Sequence, residues 1–191
     1  MTTTDLNGEL SWLEHNISGS DKPARMVMLH ADAERNTRTV MVEFPPGWVR
    51  DAVGHQPAGE EMVILAGALS ISGQTASAGE FLLVEPRATR SATSVEDGTR
   101  ALVFFSGPGG GWTDGADADP GEISVRTAES ALLRGPSDRM PGSVEVYEDL
   151  AGRTFPTDVG VVWTESGEWA HVPAGTEVPL RRGRAVVRVW S

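Results

Sequence analysis

His55 and Glu60 are the residues of this chain whose types and spacing most suggest chemistry, in the run Gly54-His55-Gln56-Pro57-Ala58-Gly59-Glu60-Glu61. An imidazole and a carboxylate five positions apart are the material of an acid–base pair or of half a metal site. Residues of one parity share a strand face, and Gly59 permits a bend between the two groups. Both side chains can therefore converge inside a small β-barrel. Gln56 can hydrogen-bond a ligand carbonyl, or simply face solvent. Trp48, Phe81 and Phe104 offer apolar walls for a cavity, although large aromatics of this kind are usually core. Arg50 and Asp51 can line a barrel mouth or form a surface ion pair. His30 ends an apolar strand and is an option as a third metal ligand, ahead of His15 and His171. Trp112 stands in a glycine-rich loop, where a tryptophan caps a pocket or docks on a neighbour.

The elements that must position these groups are short strands. Arg25 to Leu29 and Thr37 to Phe44 alternate or run apolar around Ala33-Glu34-Arg35-Asn36, which reads as a hairpin. Pro45-Pro46-Gly47 is a turn. Met62 to Leu65, Ala68 to Ile71, Glu80 to Val84 and Ala101 to Phe105 follow, punctuated by Gly67, Ser72-Gly73, Ala78-Gly79 and Glu96-Asp97-Gly98. Such spacing predicts an all-β sandwich or barrel. From Gly107 to Gly121 the chain is glycine-rich and acidic, as a flexible linker would be, and Glu129 to Leu133 has the makings of a brief helical turn. Strands resume at Val144 to Tyr147, Val159 to Trp163, Trp169 to Val172 and Ala185 to Trp190. Gly79 to Pro86 is echoed by Gly167 to Pro173, a weak internal duplication. The expected division is a barrel over 1–107, a linker over 108–140 and a shortened β extension over 141–191 packing on the barrel.

The 191 residues suit one domain of ordinary size, or one domain with an appendage, and 39% hydrophobic content is enough for a real core. A formal net charge of -11 repels phosphates and anionic lipid, which argues against nucleic acid or a membrane as partner. There are no cysteines, so disulfide and thiolate chemistry are excluded. The first residues carry no signal pattern and no apolar run reaches spanning length. The expected location is the cytoplasm.

Together these residues resemble the cupin superfamily, most closely its ChrR-like branch. Pro46-Gly47 leading to His55, then Glu60 and Gly67 at the motif spacing, resembles the first cupin motif, and Gly79 to Pro86 resembles the opening of the second. The resemblance covers roughly Trp12 to Gly107. It implies a double-stranded β-helix, or jelly-roll barrel, with the C-terminal strands as a partial second cupin-like unit. It also implies homodimerisation through an edge strand. The first motif histidine is replaced by Val53, or by Gly54 in a second alignment that puts Gln56 at the later histidine. The second-motif histidine falls at Arg90. Glu60 takes the inward place on the motif, and Arg90 is its natural partner, as a structural ion pair or as a fork for a substrate carboxylate or enolate.

Two surviving ligands are too few for a firmly held catalytic metal, and Arg90 adds a costly cation beside it. The resulting expectation is a metal-poor small-molecule enzyme. His55 and Glu60 would move a proton and Arg90 would stabilise an oxyanion, in an isomerisation, cyclisation or elimination beside a carbonyl. One alternative is a metal-dependent cupin of dioxygenase or isomerase type, holding iron, manganese, nickel or zinc through His55, Glu60 and His30 or Asp51. Another is a non-catalytic ligand-binding or sensor module of the anti-sigma type.

Overall fold

Residues 3–127, 129 and 131–190 are described by the structure, a computed structural model. All regular elements among them are strands, and no helix is long and apolar enough to cross a membrane. Two compact units divide the chain, one from Ser11 to Arg126 and one that joins Met1–Leu10 to Thr127–Ser191.

The Ser11–Arg126 unit is a jelly roll of two main sheets. In spatial order the larger holds Ile123–Thr127, Glu80–Val84, Gly59–Ala66, Arg100–Ser106, Thr37–Glu43, Ala24–Asp32 and Leu13–His15. The smaller holds Val49–Arg50, Thr93–Val95, Ala68–Ile71 and Gln74–Ser77. Alternation explains the interior. Val40, Val42, Met62, Ile64, Leu82, Val84, Ala101 and Val103 from the large sheet meet Leu69, Ile71 and Ala76 from the small one in a single buried cluster. The predicted hairpin is present, with Asp32 opposite Thr37. Its turn is fixed by Asp32, whose carboxylate accepts from the backbone N–H groups of Glu34 and Arg35. Those bonds, chiefly that from Arg35, hold the Asp32 carboxyl below its ordinary range.

The second unit has its own sheet, in the order Thr3–Asp5, Glu168–Val172, Val159–Trp163, Ala185–Val189, Ser143–Tyr147 and Leu132–Arg134. Its main buried cluster is Leu150, Val159, Val161, Trp163, Ala170, Val172, Val178, Ala185 and Val187. The two segments noticed as an echo, Gly79 to Pro86 and Gly167 to Pro173, both form strands, one in each unit.

This division differs from the boundaries read from the sequence. Thr3, Thr4 and Asp5 pair with Ala170, Trp169 and Glu168, so the N-terminus belongs with the C-terminal strands. No local pattern announces so distant a pairing. The presumed linker is also structured in part. Thr113–Asp114 pairs with Gly54–His55, and Ile123–Thr127 is an edge strand of the large sheet. The brief helical turn expected near Glu129 to Leu133 falls partly outside the described residues, at Ser130; Leu132–Arg134 is a strand.

Candidate functional site

A cavity of about 400 Å³ lies inside the Ser11–Arg126 jelly roll. Sheet register arranges its walls in rows. The row Val84, Glu60, Phe105, Arg38 runs across four strands of the large sheet, each residue opposite the next. The next row on the same face is Leu82, Met62, Val103, Val40 and Met28. One end of the cavity is thus polar, and the wall beside it is hydrocarbon and thioether. The smaller sheet adds Arg50, opposite Thr93, together with Leu69 and Ile71, and Trp48 packs beside Phe44 with ring centroids 4.8 Å apart.

Four charged side chains define the polar end. Arg90, fully buried, donates through Nη2 to Glu60 Oε1 at 2.8 Å and through Nη1 to the Ala88 carbonyl at 3.2 Å. Gln56 Nε2 donates to the same Glu60 oxygen at 2.5 Å. Arg38 lies over the Phe105 ring at 4.2 Å and donates to the Gly107 carbonyl. Arg50 is only 6% exposed; its guanidinium lies 4.8 Å from the Trp112 ring centre and reaches Thr93 Oγ1 at 3.4 Å. Burial pushes the Arg38 and Arg50 guanidinia below their ordinary values, the Glu60 carboxylate opposes the shift in both, and Arg90 adds to it at Arg50. The polar end is therefore crowded with positive charge: three guanidinia around one carboxylate.

Trp112 is placed by Gly54. A Cβ on Gly54 would lie 2.4 Å from the indole and 2.5 Å from the Thr113 carbonyl oxygen, so only glycine lets the loop close here. The indole Nε1 donates to Asp114 Oδ1 at 2.9 Å, and the ring lines the cavity.

Other expected residues sit elsewhere. His55 does not line the cavity. Its Nδ1 lies 3.1 Å from the Gly115 carbonyl oxygen and its Nε2 3.2 Å from Asp117 Oδ2, a carboxylate that Arg87 also approaches at 3.8 Å. His55 and Gln56 are neighbours on opposite faces, and it is Gln56 that faces Glu60. Phe81 and Phe104 are buried on the other face of the large sheet, where Phe104 is opposite Glu61 and Thr39. His30 is opposite Thr39 in that same row, away from the cavity. Asp51 is exposed and is not the partner of Arg50. His15 lines the cavity from the exposed strand Leu13–His15, whereas His171 belongs to the other unit. Trp48, Arg50, Gln56 and Glu60 line the cavity. Arg38 and Phe105 carry no motif signal, since only sheet register brings them beside Glu60.

The motif positions do not fit a resident divalent metal. Their side chains are those of Gln56, Glu60 and Arg90, with hydrogen alone at Gly54. The single carboxylate already accepts from two donors, one of them a permanent cation. A protein-held catalytic metal normally has three ligands. Among the described residues no group of three or more His, Asp or Glu side chains is placed to hold one.

Comparisons with known proteins agree with this architecture. A candidate dioxygenase from Nostoc punctiforme is 13% identical, with a TM-score of 0.72 over 98% of this chain and 81% of its own. A candidate glyoxylate-induced protein from Pseudomonas aeruginosa is 13% identical, with a TM-score of 0.57 over 92% and 82%. Vicilin from Capsicum annuum is 10% identical, with a TM-score of 0.54 over 93% and 83%. At these identities the likeness is one of fold. Curated protein sequences give no significant match. The model of the ChrR cupin-like domain matches residues 9–109, which span the cavity strands and both motifs, and the chain belongs to that family.

Proposed function

We propose that the Ser11–Arg126 jelly roll binds a small organic molecule with its own side chains, in place of the metal that a complete cupin motif would hold. The observation that carries this reading is the exchange at the motif positions. Arg90 and Gln56 both donate to Oε1 of the one remaining carboxylate, while the space beside them is an amphipathic cavity of a size suited to small ligands, a range of about 300–1,000 Å³. Trp48, Phe105 and Trp112 would bury the body of the ligand, and the polar row would orient it.

A second reading, that the bound molecule is also turned over, is favoured by one feature. Glu60 is a titratable group that faces the cavity. It would move a proton beside a carbonyl, in an isomerisation, cyclisation or elimination, without His55. Replacing Glu60 with Gln would then lower turnover far more than it weakens binding.

The test of the main reading is calorimetric titration of exhaustively chelated full-length protein with a panel of small organic molecules, followed by Trp fluorescence. Saturable binding by the chelated protein supports the proposal. Binding that requires added iron, manganese, nickel or zinc would overturn it.

A further inference from the structure

The geometry points to an organic carboxylate with an apolar body as the ligand class of this cavity, its carboxylate held by Arg50 with Arg38 beside it. This inference rests on the binding role proposed above and specifies what is bound.

Arg50 carries the argument. It is only 6% exposed and lines the cavity, and its Nε, like that of Arg90, is buried without a hydrogen-bond partner; unlike Arg90, its remaining donors reach neither a carboxylate nor a carbonyl. Among the described residues no carboxylate lies within ion-pair distance of it. Its one side-chain hydrogen bond, to Thr93 Oγ1, is long at 3.4 Å. The Trp112 ring at 4.8 Å gives a cation–π contact, which stabilises a guanidinium but satisfies none of its in-plane donors. A buried guanidinium in this condition is costly unless an anion joins it. Glu60 acts on Arg50 only at a distance, since the two form no ion pair and Glu60 Oε1 already accepts from Arg90 and Gln56.

The chemistry of the missing partner follows from the walls. A guanidinium fork matches a planar carboxylate in two parallel hydrogen bonds. Arg38, set across the strand from Phe105 and close enough to feel Glu60, adds a second cation at the same end. The rows beneath are Met62, Val103, Val40 and Met28, with Leu69 and Ile71 opposite. A bare inorganic anion would leave these apolar walls unused, and an organic cation would meet an excess of positive charge. Glu14, on the exposed strand Leu13–His15, is the other acidic side chain lining the cavity.

Two matched pairs of probes test this on chelated full-length protein: octanoate against octanamide, and 2-naphthoate against 2-naphthamide, with inorganic phosphate as a bare anion. In calorimetry each carboxylate should bind at least about tenfold more tightly than its amide, as a buried charge-assisted contact requires. Phosphate should bind more weakly than either carboxylate. Arg50→Gln and Arg50→Met should each lose about tenfold or more for the carboxylates and leave the amides within about twofold; Arg50→Lys should retain part of the preference. Should those variants fail to fold, the carboxylate-to-amide ratio of the unaltered protein and the smaller loss in Arg38→Gln still decide the matter. Equal binding of acid and amide would overturn the inference and leave the binding role standing. Binding of none of the four organic probes would overturn both.

Discussion

Each unit of this chain buries arginines, and the two units treat them differently. In the unit that joins the chain termini, Arg134 Nη1 donates to the carbonyls of Gly135, Met140 and Gly142, and Arg188 Nη2 donates to that of Pro141 at 2.9 Å. These guanidinia tie down irregular main chain beside the apolar cluster of that unit. In the Ser11–Arg126 unit, Arg90 is spent in a similar sense on Glu60 and Ala88, but Arg50 has only a distant hydroxyl and an indole face. Arg90, Arg134 and Arg188 each reach main-chain carbonyls or a carboxylate within their own fold. An arginine that does not, and that lines a cavity, is better read as a receptor for something else.

That contrast can be broken by substitution. The largest effect is expected from Glu60→Ala, which leaves the buried Arg90 cation without its carboxylate and should cost about 3–5 kcal/mol in urea unfolding. A loss near zero would mean that the pair is not held as described. Arg134→Met comes next. The Met140 carbonyl keeps the Ser137 N–H as donor, whereas those of Gly135 and Gly142 lose Arg134, which should cost about 2 kcal/mol, roughly 1 kcal/mol for each. Arg50→Met, the same exchange in the other unit, should instead stay within about 1 kcal/mol of the parent, because an apolar side chain of similar volume suits an apolar wall. Similar losses in these two variants would erase the distinction between the units.

Gly54→Ala sharpens the picture at the loop. The added methyl meets the Trp112 indole and the Thr113 carbonyl, so the loop must shift, at about 1–3 kcal/mol. Fluorescence of Trp112 should change with it; an unaltered spectrum and stability would show that the indole does not rest on Gly54. The smallest effect lies in the other unit. Tyr147, the one tyrosine of the chain, donates to Glu145 Oε2 at 2.6 Å. Burial first, then that bond and the Glu145 charge, push its phenol up to about 12. A raised acid favours the folded state while it stays protonated. Its contribution is therefore complete below about pH 10 and is lost as pH rises toward 12. Absorbance titration of folded and urea-unfolded protein should show this gap, and a single common midpoint would contradict it.

Much of the fold was legible because period-two patterns and turn residues mark the strands directly. The hairpin at Ala33 to Asn36 and the strand through Met62 are local facts. Glu60, Arg90 and Gly54 were legible through the spacing of the two motifs. The choice between His55 and Gln56 was not, since Pro57 to Gly59 break the strand and parity cannot be carried across them. The same one-residue ambiguity placed Phe104 in the cavity, where Phe105 stands. Arg38 reaches Glu60 by way of Phe105, through the pairing of three strands. The pairing of Thr3–Asp5 with Glu168–Val172 is likewise a tertiary fact with no trace in local sequence.

The most direct measurement is octanoate affinity, determined by calorimetry before and after exhaustive chelation, with metal content assayed on the same samples. One affinity in both states is expected, with metal well below one ion per chain. Affinity that vanishes on chelation and returns with a single added ion would show that a metal, not Arg50, receives the ligand.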